Sequence, residues 1–325
     1  MATILDKNKV YAAGEAGMVE GLGPRVYRFL KAIPTWVLWL LVILWTIPTF
    51  SLFVNSFRTR DAQRASGWWE MFTGGEVGFT LENYQDVLAA NATGGLWEAL
   101  LNSIAIAVPA TVIPIAIAAF AAYGFAWIDF KGREWLFIVT VSLLAIPLQV
   151  SLIPLLQMYS GGAHYTLPFV DKTITIVPYL QLEGTTTAVW LTHTGFALPF
   201  AIFLLHNYIS DLPKDIFESA RIDGADHFKI FYKLVLPLSV PVLAAFAIFQ
   251  FLWTWNDYLI ALTMIGSNGQ ALPATVKIAS LAGEFGLREH LLTAGAFIQS
   301  ALPIVVFFAL QRYFVRGMTA GSVKG

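Results

Sequence analysis

The chain has 325 residues, of which 57% are hydrophobic and 13% are charged, whereas soluble domains are about 25% charged. Its formal net charge is −1 and it has no cysteine, so no basic surplus supports a nucleic-acid partner, and disulfides and cysteine-based sites are excluded. This composition indicates an integral membrane protein.

The predicted elements begin with a mostly polar N-terminal tail, residues 1–33, and the first apolar run starts at Pro34. A cleaved signal peptide would have a shorter and earlier apolar core, so this run is predicted to be an uncleaved span. A span needs about 20 mainly apolar residues. Six runs satisfy this requirement, at residues 34–57, 99–127, 135–159, 188–209, 239–264 and 291–313.

These runs predict an all-α integral membrane fold with six transmembrane helices over residues 34–314 and a C-terminal tail at 315–325. Lysine and arginine residues outside the spans, together with Arg312 at the end of the sixth, favour one side of the membrane, 14 against 6. Because such residues mark the cytoplasmic side, both termini and the loop at 210–238 are predicted to be cytoplasmic.

Ionisable groups are rare in the predicted spans, where each costs at least about 2.5 kcal/mol near the helix centre. The fourth span holds His193 and His206, the fifth holds Asp257, and Arg312 ends the sixth. With neither a charge relay nor an internal repeat, the sequence gives little support for an ion-coupled carrier. For both histidines, a hydrogen-bonded imidazole near a helix end is the favoured interpretation.

The segment FLWTWNDYLIAL of the fifth span has two interpretations. Asp257 follows Trp253 and Trp255, which suit a membrane interface, so it could be a solvated residue at a helix end. Alternatively, Asn256, Asp257 and Tyr258 lie on a translocation path, where they would replace the water around a polyhydroxylated solute.

The sequence contains none of three common motifs for nucleotide binding or catalysis. The phosphate-binding pattern G-x-x-x-x-G-K-[ST], the nucleophile elbow G-x-S-x-G and the zinc motif H-E-x-x-H are all missing from the sequence. We therefore expect no catalytic residue, no metal site and no cofactor on this chain, and the energy for any work must come from a partner.

The loop at 210–238 is predicted to form a helix, a turn and a second helix. Asp211 can cap the first helix with Pro213 as an early helical residue, and Gly224 can end it in a left-handed turn. Asp226 can cap the second helix.

Apolar residues are predicted to share one face of each of these helices: Ile216, Phe217 and Ala220 in the first, and Phe228, Phe231 and Val235 in the second, which is expected to end at Pro237. Such a stripe fits either a lipid headgroup anchor or a protein partner. The acids Glu218, Asp223 and Asp226 disfavour anionic lipid, so a protein partner is the better interpretation.

The same loop resembles the E-A-A…G…I-x-L-P loop of binding-protein-dependent ABC transporter permeases. The resemblance rests on Glu218-Ser219-Ala220, then Gly224, then Leu234-Val235-Leu236-Pro237, and on the segments WTWNDYLIAL and QRYFVRGMTAGSVKG. These segments are similar to sugar-importer permeases related to the second permease subunit of the maltose transporter, and the length of 160–187 is similar to the glucose and α-glucoside branch.

The resemblance implies a coupling helix within residues 213–236, between the fourth and fifth spans, that docks in a cytoplasmic ATPase. The residues it assigns to this contact are Glu218, Ser219, Ala220, Asp223, Gly224, Leu236 and Pro237. It also implies that the C-terminal residues 311–325 can reach the ATPase, and the alternative is a frayed basic tail. Ser219 departs from the usual alanine, and 160–187 is longer than in the maltose relatives and is able to form an extra strand or short helix.

The implied assembly contains a second homologous permease, two ATPase subunits that bind ATP and Mg, and a soluble sugar-binding protein, in a bacterial or archaeal inner membrane with its lipid. The expected function is import of a sugar such as glucose, an α-glucoside or a related oligosaccharide. The alternatives are an ABC permease for a non-sugar solute and, less favoured, an ion-coupled carrier.

Overall fold

The computed structural model describes residues 33–75, 77–89, 95–169, 172–267, 269–282 and 288–320. The chain separates into two units, residues 1–54 and 55–325. Most of helix α1 (Thr35–Ser56) belongs to the first unit, and it keeps Pro48 inside an otherwise regular helix. The expected tail at 1–33 lies outside the described residues, apart from Ile33.

The second unit is almost entirely helical. Its first half contains the short helices α2 (Arg60–Ala65), α3 (Glu70–Thr73) and α4 (Glu82–Leu88), the long helix α5 (Leu96–Trp127), α6 (Arg133–Ser142) with a 3-10 turn (Leu143–Ala145), α7 (Leu148–Gly161), strands β1 (Ala163–Thr166) and β2 (Thr173–Val177), and α8 (Thr186–Ser210).

Its second half begins with α9 (Lys214–Ile222) and α10 (His227–Ile230). A π-helical turn (Phe231–Val235), α11 (Leu236–Trp255), α12 (Leu259–Ile265), α13 (Ala274–Leu281) and α14 (Glu289–Ala320) follow. Helix α14 extends beyond residue 313, where the sixth span was expected to end, and residues 321–325 of the expected tail lie outside the described part.

The predicted membrane fold is confirmed, with five described helices long and apolar enough to span, or six if α6 and α7 count as one bent span. These two helices meet at 102°, where one straight span was expected at 135–159. The bend falls before Pro147, which disfavours a helical conformation of Ile146, and that residue is extended with φ −77° and ψ 118°.

Two of the intrahelical prolines show how the fold tolerates them. Pro114 of α5 has no N–H to donate to the Ala110 carbonyl, and the Gln250 side chain of α11 donates to that oxygen instead, at 3.0 Å. Pro303 of α14 likewise leaves the carbonyl of residue 299 without its helical donor. Trp255 Nε1 donates to this oxygen at 3.1 Å. Helix α11 therefore satisfies backbone carbonyls that prolines free in two neighbouring helices.

The core of the second unit lies where α5 and α8 pack together. Both helices carry small buried side chains, which let backbones approach closely; their fully buried alanines are Ala107, Ala110, Ala118 and Ala122 on α5 and Ala188 and Ala201 on α8. One apolar cluster joins α5 and α8 to α9, the π turn and α11, and a second joins them to α7 and α12. Helix α8 therefore supports different elements at its two ends.

A two-stranded antiparallel hairpin interrupts the helical fold between α7 and α8. Strands β1 and β2 pair with Tyr165 opposite Ile174 and Thr166 opposite Thr173. This confirms the expectation of an extra strand in the segment 160–187. The strand residues are largely exposed, so the hairpin adds little to the core.

The chain from His227 to Trp255 is one continuous helical stretch of 29 residues. The expectation that Pro237 ends the second loop helix is wrong. Proline cannot make the usual helical hydrogen bond, and here it falls at the second residue of α11, directly after the wider π turn. The fifth predicted span is instead interrupted further on, at Asn256–Tyr258, between α11 and α12.

Candidate functional site

The loop that joins α8 to α11 folds as the predicted helix, turn and helix, and residues 213–237 are called the coupling hairpin below. Gly224 has φ +77°, a conformation that glycine adopts without steric strain. The N–H of Ala225 donates to the Ala220 carbonyl at 2.9 Å and that of Gly224 to the Arg221 carbonyl at 3.0 Å. These two bonds form a Schellman motif that ends α9.

The second helix of the hairpin begins as the sequence predicted. The Asp226 side chain accepts a hydrogen bond from the Lys229 backbone N–H at 2.7 Å. It thereby satisfies one of the N–H groups that have no partner at a helix start. The predicted cap of the first helix is different, because α9 starts at Lys214 with Pro213 in the capping position and no side-chain cap bond. The sequence therefore predicted the glycine turn and the start of the second helix correctly, but not the residue that caps the first helix.

Aromatic side chains fix the hairpin to the ends of α5 and α8. Phe217 is 2% exposed and its ring stacks on Trp127 with centroids 3.9 Å apart. Trp127 Nε1 in turn donates to the carbonyl of Ile209, near the end of α8, at 3.1 Å. Phe231 of the π turn stacks on Phe120 of α5 at 4.4 Å. The hairpin is therefore packed against the ends of α5 and α8 on both sides of its turn.

The opposite face of the hairpin carries the residues assigned to the contact with an ATPase. Glu218, Ser219, Asp223 and Gly224 are exposed, whereas Ala220, which was assigned to the same contact, is half-buried and packs on the core side with Phe217. Ser219 Oγ donates to the carbonyl of residue 215 on its own helix, at 2.8 Å. This leaves the carboxylates and the glycine turn open to a partner.

Leu236 and Pro237 lie apart from this face. They occupy the first turn of α11, where Leu236 is half-buried and Pro237 is exposed. Their place is the junction between the hairpin and the long helix, so they connect the exposed turn to the membrane-spanning part of the chain.

The predicted apolar stripe is only partly buried. Phe217, Phe231 and Val235 are buried, but Phe228 is 65% exposed. Phe228 lies in α10, before the π turn, and Ile230 of the same helix is buried instead (1% exposed), so the face predicted across residues 228–235 is not kept. Sequence reasoning also missed Ile222, which is 86% exposed beside the turn. The exposed face therefore presents apolar side chains as well as acids.

The second group of predicted residues lies at the interruption between α11 and α12, called the 256–258 break below. Asn256 and Tyr258 are exposed, and Asn256 Nδ2 donates to the Leu252 carbonyl at 2.8 Å. Thr275 Oγ1 of α13 donates to the Asp257 carbonyl at 2.6 Å. The break is thus held by side chains at the end of α11 and the start of α13.

Asp257 points inward, between its two exposed neighbours. Its carboxylate accepts hydrogen bonds from the backbone N–H groups of Ile260 at 3.2 Å and Ala261 at 2.9 Å, at the start of α12. Its side chain is 10% exposed, and one oxygen lies 3.5 Å from His193 Nε2 of α8. An aspartate in this position stabilises the N-terminal end of α12.

His193 departs from its predicted role as a hydrogen-bonded imidazole. It is 0% exposed, and neither ring nitrogen makes a hydrogen bond to a described residue. No signal in the sequence paired it with Asp257, because the two residues lie in different spans. His206 fits the prediction better, with Nε2 3.4 Å from Ser210 Oγ.

A cavity of about 410 Å³ lies beside this pair, between the bend of α6 and α7 and the facing side of α8. Its walls are mostly apolar, and Tyr159, Thr192 and Trp253 are among the lining residues. Thr192 Oγ1 lies 3.2 Å from the Tyr159 hydroxyl. The sequence did not predict this cavity, since it depends on the bend before Pro147.

The two groups of site residues lie at opposite ends of α11, whose 20 residues correspond to about 30 Å at 1.5 Å per residue. Among the described residues, no cluster of histidine and acidic side chains could hold a metal ion. The structure therefore places an exposed turn near one end of α11 and a polar break at the other.

The chain is similar to several known transport proteins. Residues 114–320 match the family model described as binding-protein-dependent transport system inner membrane component. The chain is 49% identical over 303 residues to the osmoprotective compounds uptake permease protein GgtD of Synechocystis, which covers 92% of this chain and 95% of that protein.

A second relative is the alpha-glucoside transport system permease protein AglG of Rhizobium meliloti, 53% identical over 248 residues, or 76% of this chain and 61% of that protein. The fold is similar to that of a chain in the crystal structure of a bacterial alginate ABC transporter in complex with alginate pentasaccharide-bound periplasmic protein. The TM-score is 0.62 and the identity is 13%, and the match covers 88% of this chain and 96% of that chain. The resemblance found in the sequence is confirmed, and the chain belongs to the family of inner membrane components of binding-protein-dependent transport systems.

Proposed function

We propose that this chain is the permease subunit of an ATP-driven importer that moves an α-glucoside or a related sugar across the inner membrane. The coupling hairpin is the observation that carries the proposal, because it presents an ordered, exposed surface for an ATPase on a chain with no nucleotide motif. The 53% identity to an alpha-glucoside permease supports the class of solute.

The proposed partners are a second homologous permease, two ATPase subunits and a soluble sugar-binding protein. ATP and Mg would bind to the ATPase subunits, which carry out the hydrolysis. In this arrangement both termini and the coupling hairpin face the cytoplasm, in agreement with the distribution of lysine and arginine. The β1–β2 hairpin, at the other end of α8, would then face the binding protein.

The geometry suggests how ATPase closure reaches the membrane. Phe217 and Phe231 tie the hairpin to α5 and α8, so a displacement of the hairpin moves those helices. The stretch from His227 to Trp255 is continuous and joins the hairpin turn to the 256–258 break. Movement of one rigid element would thereby bias the permease between inward-facing and outward-facing states.

We assign Asn256 and Tyr258 to the translocation path, with Asp257 as the residue between them that holds the break. Their exposed amide and hydroxyl groups suit hydrogen bonds to a polyhydroxylated solute. Substitution Asp257→Asn should alter sugar uptake or its specificity. An unchanged uptake profile would favour the interpretation of Asp257 as a helix-end residue alone.

The function is tested by reconstituting the chain with its partner permease, ATPases and binding protein in proteoliposomes. We expect uptake of a radiolabelled α-glucoside that requires both ATP and the binding protein. Uptake by this chain alone, driven by a proton or sodium gradient, would overturn the proposal.

A second candidate solute is a small non-sugar osmoprotectant, favoured by the 49% identity to an osmoprotective compounds uptake permease. Binding of the cognate binding protein to a panel of maltose, trehalose, sucrose and glycine betaine separates the two. Binding of glycine betaine alone would favour the second candidate.

A further inference from the structure

His193 is an unusual residue for the interior of a membrane-spanning helix. It lies in α8, is 0% exposed, and neither of its ring nitrogens is hydrogen-bonded to a described residue. A buried polar group without a hydrogen bond costs free energy, and most native structures avoid it. Its presence here needs an explanation that packing alone does not give.

The group that faces this imidazole is the carboxylate of Asp257. The distance from His193 Nε2 to Asp257 Oδ2 is 3.5 Å, which is within reach of a charge interaction and slightly long for a good hydrogen bond. Trp253 meets the imidazole edge to face, with ring centroids 5.0 Å apart. His193 therefore contacts α11 and the 256–258 break at the same time.

Helix α12 is a separate short element, and Asp257 connects it to α8. It is preceded by the 256–258 break and followed by Gly266, which has φ +82°. The Asp257 carboxylate bonds to the first N–H groups of α12 and faces His193, so this contact links the direction of α12 to α8.

We propose that His193 is a positioning residue, which acts through Asp257 to fix the 256–258 break and thereby orients Asn256 and Tyr258 toward the transported sugar. This inference rests on the proposed function, since it deepens the role given there to the break. His193 itself does not contact the sugar.

The other intramembrane histidine provides a matched control. His206 lies on the same helix, with its ring 4.3 Å from that of Phe137 and Nε2 3.4 Å from Ser210 Oγ. It is remote from the break, at the hairpin end of α8. Replacement of His206 by leucine removes an imidazole from the same span without touching Asp257.

The test measures sugar uptake by the complete reconstituted complex. Maltose, trehalose and sucrose are first tried with the wild-type complex, and the α-glucoside that it transports is then used for the variants. We expect His193→Leu and Asp257→Asn each to raise the KM for uptake about tenfold with maximal rates within about twofold, and the double variant to be no worse than either single one. His206→Leu should leave both parameters unchanged.

Three results would overturn the proposal: a wild-type KM in His193→Leu, effects that multiply in the double variant, or an equal rise of KM in His206→Leu. If the His193→Leu variant fails to assemble into the complex, the KM values of His193→Gln and His193→Asn test the proposal instead. A glutamine amide can occupy the position of Nε2 and an asparagine amide cannot, so a KM closer to wild type for glutamine supports the proposal, and equal values overturn it.

Failure of the proposed function is a separate result, because in that case the wild-type complex shows no ATP-dependent sugar uptake at all.

Discussion

The coupling hairpin and the 256–258 break are both interruptions of the membrane helices, and they distribute polar and apolar groups in opposite ways. The hairpin buries aromatic rings, such as Phe217, and exposes its acids and its glycine turn. The break buries a carboxylate and an imidazole, and exposes Asn256 and Tyr258. The first arrangement suits docking of another protein, and the second holds the interruption between α11 and α12.

One continuous helical stretch joins the two regions, from His227 to Trp255. A substitution in the hairpin should therefore act on coupling and on stability, whereas a substitution at the break should act on the handling of the solute. Substitutions in the hairpin and at the break can therefore test this difference.

The largest effect is expected for Gly224→Asp. The substitution forces a residue with a side chain into a left-handed conformation, which costs about 1–2 kcal/mol, and places a charge on the docking surface. We expect uptake to fall at least about tenfold, with less ATPase bound in pull-down assays and normal insertion in the membrane.

Gly132→Asp is the matched control for this substitution. Gly132 also has a positive φ, +84°, and at both glycines the space that a Cβ would occupy has no neighbouring atom within 4 Å, so backbone strain is similar at the two sites. Normal uptake in Gly224→Asp, or an equal loss of uptake in both variants, would contradict the coupling role assigned to the turn.

Phe217→Ala should destabilise the attachment of the hairpin. The ring is 2% exposed and stacks on Trp127, and loss of a buried phenylalanine typically costs about 3–5 kcal/mol. We expect a lower midpoint of thermal unfolding for the detergent-purified protein. Phe228→Ala removes an exposed ring from the same hairpin and should leave the midpoint nearly unchanged; equal shifts would contradict the assignment of Phe217 as the anchor.

Asp226→Ala should have a smaller effect, because it removes the side-chain acceptor for the Lys229 N–H. Loss of such a cap costs about 1 kcal/mol, which thermal unfolding of the purified protein can measure. Asp226→Ser retains a capping oxygen and should recover most of the loss. A midpoint for the serine variant as low as that for alanine would show that charge, and not capping, matters at this position.

The smallest effect is expected for Ser219→Ala. The hydroxyl donates to a carbonyl of its own helix, and the resemblance noted in the sequence implies that alanine is tolerated here. The free energy of unfolding should stay within about 0.5 kcal/mol of the wild type, as for most surface substitutions, and sugar uptake should be unchanged. A large loss of uptake at unchanged stability would reveal a contact of this hydroxyl with the ATPase.

Features that depend on neighbouring residues could be predicted from the amino-acid sequence. Apolar runs of sufficient length predicted the membrane helices, and Gly224 and Asp226 predicted where the hairpin turns and where its second helix starts. These predictions succeeded because backbone conformation at a glycine and capping at an aspartate are decided within a few residues.

Features that depend on contacts between distant segments emerged only from the folded chain. Pro147 coincides with a sharp bend, whereas Pro114 and Pro303 stay inside helices, where Gln250 and Trp255 donate to the carbonyls that these prolines free. Likewise, His193 and Asp257 meet because α8 packs beside the 256–258 break. The bilayer core contains no water to bond with free polar groups. Packing therefore decides which side chains come within hydrogen-bond distance, and so whether a proline bends a membrane helix and whether a buried polar group has a neighbour.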